Sequence, residues 1–376
     1  MEYLDNINSS FKVLDEERYF TDASVAMEYA KNNPGKVIVR ADQIASPLIN
    51  VQEEEPVEIK ENSPAGIFQK LSQYVISQDE AKREVATALY YHKIKLDKPY
   101  MHEEIKSNPL MLVGATGTGK TFIVQKACEL LELAYVHVDT ASMVSEGIIG
   151  NSIGDIAREV VERSGSDIYK ARHCVVFLDE FDKLFMQEED DGASGKVSSQ
   201  LLRFIEGENI KYRYRDKNDD LKEGVLATHD IQFILGGAFQ WILDEDKETI
   251  SMGFTTASTA SANKELTLED FYRAGLPKEL LGRINTIINL QTLEYQDYYA
   301  IMTKSENSPL QEFIDKMNYH DCNVDIDEVT LQRIAKEATD SVLGVRSLKQ
   351  SLQKLFQKAL FDAPNSKKTY YIRYES

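Results

Sequence analysis

Eight consecutive residues constrain the fold of this chain more than any other feature: Gly114-Ala115-Thr116-Gly117-Thr118-Gly119-Lys120-Thr121. They spell G-x-x-x-x-G-K-[ST], a pattern that chance supplies in roughly 1% of chains of this length at average composition. The apolar run Leu110-Met111-Leu112-Val113 leads in, as a buried strand does. Phe122 and its successors lead out, with Ile123, Val124, Ala127, Leu130 and Leu131 recurring on one helical face. A strand that turns through glycines into a helix can cradle a phosphate. The glycines let backbone N–H groups curl round it, and the helix aims its positive end at it. In such a loop Lys120 reaches the outer phosphates and Thr121 places its hydroxyl on Mg²⁺. Without a ligand, the same residues would be a plain glycine turn between strand and helix.

Further strands follow at regular intervals. Ala134-Tyr135-Val136-His137-Val138 ends in Asp139, and Cys174-Val175-Val176-Phe177-Leu178 ends in Asp179-Glu180. Ile231-Gln232-Phe233-Ile234-Leu235 ends in Gly236-Gly237-Ala238-Phe239, and Thr286-Ile287-Ile288-Asn289-Leu290 follows Gly282-Arg283. Helical patterns lie between them, so a mainly parallel sheet with helices on both faces is predicted, an α/β fold. An apolar strand ending in Asp-Glu is what a P-loop ATPase needs beside its phosphate loop. Asp179 would hold the Mg²⁺ sphere, and Glu180 would orient and deprotonate the attacking water. Read alone, the pair is a buried strand meeting an acidic helix cap; the loop upstream favours catalysis.

Three segments are predicted. Residues 1–62 read as a small α+β unit and linker, with strands near 11–14 and 36–40 and a helix capped by Thr21 or Asp22 and stopped by Pro34-Gly35. It is either a docking module or a packing appendage. Residues 63–293 hold the phosphate loop, preceded by the apolar stretch Tyr74-Val75-Ile76-Ser77-Gln78, where Ile76 can pack an adenine ring. Residues 294–376 turn mainly helical, with short strands near Val324 and at Tyr370-Tyr371-Ile372.

The chain has 376 residues, 42% hydrophobic and 28% charged, with a formal net charge of −19. So acidic a chain has no general affinity for nucleic acid or an anionic membrane. Lys211-Tyr212-Arg213-Tyr214-Arg215 therefore reads as a strand with one polar face rather than an RNA site, with a hairpin turn at Asp216-Lys217-Asn218-Asp219-Asp220. Cys128, Cys174 and Cys322 form no C-x-x-C pair, which fits a reducing, cytoplasmic setting. Met1-Glu2-Tyr3-Leu4-Asp5 is too acidic for a signal peptide. No apolar run approaches the ~18 residues that span a bilayer.

Seven pieces in fixed order give a closer match. They are Tyr74 to Gln78, Gly114 to Thr121, Phe177-Leu178-Asp179-Glu180-Phe181-Asp182-Lys183, Leu201-Leu202-Arg203-Phe204-Ile205-Glu206-Gly207, Gly236-Gly237-Ala238-Phe239, Leu276-Pro277-Lys278-Glu279-Leu280-Leu281-Gly282-Arg283, and Gly344-Val345-Arg346. In this the chain resembles the ClpX-type AAA+ unfoldases, which feed the ClpP peptidase. The resemblance implies an ATP-dependent hexameric ring acting on protein substrates, with ATP and Mg²⁺ bound between subunits. It implies that Arg283 is an arginine finger acting in trans and that Arg346 is a sensor-2 arginine from the small domain. It further implies a substrate-gripping pore loop at Gly147-Ile148-Ile149-Gly150, and a peptidase-docking loop at Met252-Gly253-Phe254. A peptidase-independent remodeller and a nucleotide-regulated scaffold ring are the alternative readings.

Three departures from the family stand out. Residues 1–62 contain no cysteine, so the four-cysteine zinc module is missing from them. Ile148 stands where the family has tyrosine. The second pore loop, basic in the family, corresponds here to the acidic turn at Asp219-Asp220.

Overall fold

The structure, a computed structural model, describes residues 11–13, 19–20, 29, 31–32, 38–40, 60–98, 106–145, 153–185, 194–215, 218–244, 265–341 and 343–374. The chain divides into two units, Met1–Glu58 and Ile59–Ser376. In the first, β1 (Phe11–Val13) pairs antiparallel with β2 (Tyr19–Phe20) on one side and β3 (Ile38–Arg40) on the other. The division falls four residues before the linker's predicted end. Lys60 and Ser63 already belong to the second unit, where Ser63 caps a helix: its hydroxyl accepts from the Gly66 N–H and donates to the Lys60 carbonyl.

That helix is α1 (Pro64–Tyr74), with proline in its first turn, where no N–H partner is needed. Helix α2 (Asp79–Asp97) follows, with Asp79 and Glu80 at its positive end. Next come β4 (Leu110–Val113), α3 (Lys120–Leu130), β5 (Tyr135–Asp139), α4 (Thr140–Ser145), α5 (Ile153–Arg163), α6 (Ile168–Arg172) and β6 (Val175–Asp179). Helix α7 (Ser194–Glu206) leads to the antiparallel hairpin of β7 (Asn209–Arg215) and β8 (Leu221–Ala227). Then β9 (Gln232–Gly237), α8 (Leu268–Arg273), α9 (Lys278–Leu281) and β10 (Thr286–Asn289) complete the α/β part.

Five strands form one sheet in the order β10-β4-β9-β6-β5, every neighbouring pair parallel. The central strands β4 and β9 are buried along their whole length, as expected where helices cover both faces. Alternate residues supply two cores. Met111, Val113, Val176, Leu178, Phe233 and Leu235 pack on one face; Leu110, Leu112, Val175, Phe177 and Ile234 pack on the other, against α1, α2 and α3. The edge strand β5 instead alternates between buried Val136 and Val138 and exposed His137 and Asp139. Because all strands run the same way, their C-terminal ends gather at one edge, where ligands bind in open α/β sheets.

Residues after β10 form a third core around Met302, Phe313, Leu348, Leu352 and Phe356. Its helices are α10 (Tyr295–Thr303), α11 (Pro309–Asn318), α12 (Glu328–Thr339) and α13 (Val345–Asp362). Strands β11 (Asn323–Ile326) and β12 (Thr369–Ile372) pair parallel beside them. The hairpin of β7 and β8 exposes most of its side chains, including Arg213 and Arg215, while Tyr212 is buried. Within its turn Asp219 pairs with Arg215 at 3.1 Å. The expected pore loop Gly147, Ile148, Ile149 and Gly150 lies outside the described residues, and so does the expected docking loop Met252, Gly253 and Phe254.

Candidate nucleotide site

The loop between β4 and α3 begins at Gly114, whose N–H donates to the Gly237 carbonyl at the end of β9. Gly117 and Gly119 adopt the left-handed backbone that lets the chain curl, at φ +85° and +98°. Lys120 opens α3 and turns back, its Nζ donating to the carbonyls of Gly114 at 2.5 Å and Ala115 at 3.0 Å. Burial pushes its ammonium below the ordinary lysine pKa, against the opposing pull of the Asp179, Asp182 and Glu180 carboxylates. Those backbone carbonyls are weaker partners than a phosphate, so an incoming anion would take the ammonium over.

Thr121 comes next, and its hydroxyl donates to Asp179 Oδ2 at 2.8 Å. Two more donors reach the same carboxylate. His137 Nε2 lies 3.1 Å from Oδ2, and the Glu180 N–H donates to Oδ1 at 3.0 Å. Burial pushes Asp179 up, but the hydrogen bonds from His137, Thr121 and the Glu180 amide outweigh it, leaving its pKa below the ordinary value. His137 is raised in turn, first by its hydrogen bond to Asp179. Glu180 itself sits at φ +53°, a left-handed backbone unusual for glutamate. Thr140, fully buried at the start of α4, holds that turn: its hydroxyl lies 2.9 Å from the carbonyls of both Asp179 and Glu180.

Lys120, Thr121, Asp179 and Glu180 line a cleft of about 410 Å³. Thr116, Gly117, Thr118, Gly119, Lys120, Thr121 and Phe122 form one wall, and Asp179 and Glu180 another. Ile76 contributes from the loop between α1 and α2, with Leu293 and Ile301 as further apolar surface. Arg346, from the first turn of α13, closes the remaining side. Here α13 meets the phosphate loop through bare backbone. A methyl group added at Gly117 would sit 3.2 Å from the Gly344 Cα, and one added at Gly344 would sit 3.3 Å from the Gly117 Cα. Arg283 is elsewhere. Its guanidinium is half exposed beside Glu206, with Nε 3.6 Å from Oε1.

The cleft suits a magnesium nucleotide. Among the described residues no group of three or more His, Cys, Asp or Glu side chains makes a self-contained metal cage. Mg²⁺ asks for less: one or two protein oxygens, with water and phosphate oxygens completing its shell. The adjacent Thr121 hydroxyl and Asp179 carboxylate are such a pair.

Beside this site Thr140 and His137 carry no motif signal, and the sequence assigns no task to Ser77 and Gln78, which end the matched piece Tyr74 to Gln78. The last two sit at consecutive left-handed positions, φ +56° and +59°. The Gln78 carboxamide embraces one distant residue, its Oε1 accepting from the Gln291 N–H at 2.9 Å and its Nε2 donating to the Gln291 carbonyl at 2.8 Å. The Ser77 hydroxyl donates to Asp297 in α10. This dipeptide thus joins the apolar wall of the cleft to the start of the C-terminal helices.

Residues 110–256 match the ATPase family associated with various cellular activities (AAA), and residues 293–371 match the C-terminal, D2-small domain of ClpB protein. Among curated proteins, the ATP-dependent Clp protease ATP-binding subunit ClpX 2 of Wolinella succinogenes is 28% identical over 318 residues, spanning 82% of this chain and 80% of the relative. The ATP-dependent Clp protease ATP-binding subunits ClpX of Treponema denticola and Bacteroides thetaiotaomicron are each 28% identical over 328 residues. Those alignments span 81% and 82% of this chain and 78% and 79% of the relatives.

Proposed function

The chain carries an AAA ATPase domain followed by a ClpB-type small domain and is similar to ClpX-named relatives, and from that premise we propose that it works as a hexameric ring of the ClpX type that unfolds and threads protein substrates at the expense of ATP. The observation that carries the reading is the meeting in one cleft of the phosphate loop, the Asp179-Glu180 strand end and Arg346 from the C-terminal helices. A cleft built from two parts of the chain changes shape when they move, which is how hydrolysis can drive mechanical work.

Each residue then has a task. Backbone N–H groups of Gly114 to Gly119 and the Lys120 ammonium hold the phosphates, while Ile76 packs the base. Thr121 and Asp179 would hold Mg²⁺, which when bound neutralises charge on the phosphate oxygens. Glu180 takes a proton from the water that attacks the γ-phosphorus; the new P–O bond forms as the bond to the ADP oxygen breaks. Arg346 brings positive charge to the γ-phosphate oxygens within the subunit. Arg283 does so for the neighbouring subunit, and its distance from the cleft of its own chain supports a trans role.

Delivery to a ClpP-type peptidase is part of the proposal, resting on Met252-Gly253-Phe254, whose apolar side chains are suited to insertion in a cleft. Three free, buried cysteines suit a cytoplasmic, reducing setting. No helix among the described residues is long and apolar enough to cross a membrane.

The test is a comparison of wild type with Glu180→Gln. Wild type should turn over ATP and unfold a stable tagged protein. The variant should bind ATP, assemble and stall. Near-wild-type turnover in the variant rejects the assignment of the base. Turnover and unfolding without stimulation of any ClpP-type peptidase favour a remodeller, and negligible wild-type turnover favours a scaffold.

A further inference from the structure

His137 lies outside the pattern of loop, strand end and arginine described above, yet it touches the centre of the site. It sits on the edge strand β5, in register with Phe177 of β6, while Asp139 is in register with Asp179. From there its ring leans along the neighbouring strand by two residues, a diagonal that a long side chain can span. The ring stacks on Phe177, centroids 5.8 Å apart and planes 21° apart, and ends 3.1 Å from Asp179 Oδ2. An ionised carboxylate only accepts, so Nε2 carries the proton in this bond.

We propose that His137 is a positioning residue for the metal-bound nucleotide, holding the Asp179 carboxylate in the orientation that serves Mg²⁺. The inference rests on the reading of Asp179 as a metal-site residue. Its physical basis is the donor arrangement around that carboxylate. Thr121 and His137 share Oδ2, and the Glu180 amide takes Oδ1. Of these donors, Thr121 has another task in the proposed cycle, since its oxygen faces the cation, and the Glu180 amide reaches only the other oxygen, Oδ1. His137 has no such task. Stacked on the fully buried Phe177, it is anchored to the sheet rather than to the nucleotide. Its hydrogen bond on Oδ2 therefore persists when Thr121 turns to the cation, and it keeps Asp179 from rotating toward the Lys120 ammonium. Hydrogen-bonded outer partners of this kind orient metal ligands and tune their affinity.

The expected substitution effects separate this role from simple packing. His137→Phe keeps a flat ring against Phe177 but has no N–H. His137→Gln restores a donor at nearly the same reach but loses the stack. For each variant, and for Asp179→Asn, the nucleotide dissociation constant is measured in Mg²⁺ and again in EDTA, using a fluorescent ADP analogue and no turnover. In wild type, Mg²⁺ should tighten binding by a definite ratio. His137→Phe should reduce that ratio roughly 10-fold, the low end of what loss of an outer partner costs a metal site, with binding in EDTA unchanged. His137→Gln should recover most of the ratio.

Asp179→Asn should abolish most of the Mg²⁺ advantage. If it does and His137→Phe matches wild type, the positioning role is overturned while the metal reading stands. An Asp179→Asn protein that keeps the full ratio overturns the metal reading itself. If His137→Phe weakens binding equally in Mg²⁺ and EDTA, or His137→Gln fails to recover, His137 serves packing and the proposal falls.

Discussion

At the scale of single residues, the site depends on groups that fix the backbone under the reacting ones. Glu180 holds φ +53°, a conformation that costs on the order of 1–3 kcal/mol and persists only where the surroundings over-determine it. The Thr140 hydroxyl, shared between the carbonyls of Asp179 and Glu180, is one such constraint. Thr140→Val removes the hydroxyl at nearly constant volume. Stability should fall by about 1–2 kcal/mol, the usual effect of losing a buried hydrogen bond. Turnover should fall further, by at least ~10-fold, because a misplaced base loses its line to the water. Nucleotide affinity should hold, since Lys120 and Thr121 are untouched. Parallel losses in affinity and turnover would show that Thr140 supports the whole cleft rather than Glu180.

At the scale of elements, the dipeptide Ser77-Gln78 joins the loop after α1 to the segment that leads into α10. The two hydrogen bonds between the Gln78 carboxamide and the Gln291 backbone are sheltered, with Gln78 only 3% exposed. Gln78→Gly tolerates the left-handed backbone and deletes only the side chain. The Gln291 amide should then exchange its hydrogen much faster, and unfolding should cost about 1–3 kcal/mol less. Unchanged exchange at Gln291 would show that something else protects it. This contact also marks where the sequence stops being legible. The strands were readable because continuous apolar runs such as Leu110 to Val113 have few other fates, and the helices because their apolar spacing repeats. The phosphate loop was readable because its spacing is so constrained, and Asp179-Glu180 only in its company, since alone the pair reads as a strand meeting an acidic helix cap. By contrast, Gln78 and Gln291 are 213 positions apart, and His137 reaches Asp179 across 42. No local pattern encodes such pairs; they exist only once the sheet order is set. The break between Glu58 and Ile59 lies inside the segment read as linker for a similar reason, since Lys60 shows its place only once Ser63 is seen capping α1 and donating to its carbonyl.

At the scale of the whole molecule, one buried group ties stability to acidity. His92, on α2, is fully buried at the opposite end of the sheet from the cleft. Its Nε2 donates to the His173 carbonyl at 2.8 Å, and its Nδ1 lies 3.3 Å from the Ser107 hydroxyl. The neighbours there are the ion pair Lys95–Asp230 at 2.6 Å and the His173 ring. Burial lowers the His92 pKa from 6.5 to about 4, so the folded chain refuses a proton that the unfolded chain accepts. Its contribution is complete above pH 6.5 and is lost as the pH falls toward 4, amounting to about 3 kcal/mol over that window. His92→Gln, which does not titrate, should flatten the fall in denaturation midpoint between pH 6.5 and 4 relative to wild type. Identical slopes would place the acid sensitivity elsewhere.

The contact of Gly117 with Gly344 has a thermodynamic consequence of another sort. There the phosphate loop and the longest C-terminal helix press together as naked main chain. A seam faced with long side chains would have to freeze their rotamers whenever it closed, an entropic cost of up to ~2 kcal/mol per side chain set against closure. A seam of two glycines has no rotamers to freeze. Such a seam can close while leaving side-chain disorder as it was, so little of the nucleotide's binding free energy would go into ordering the joint.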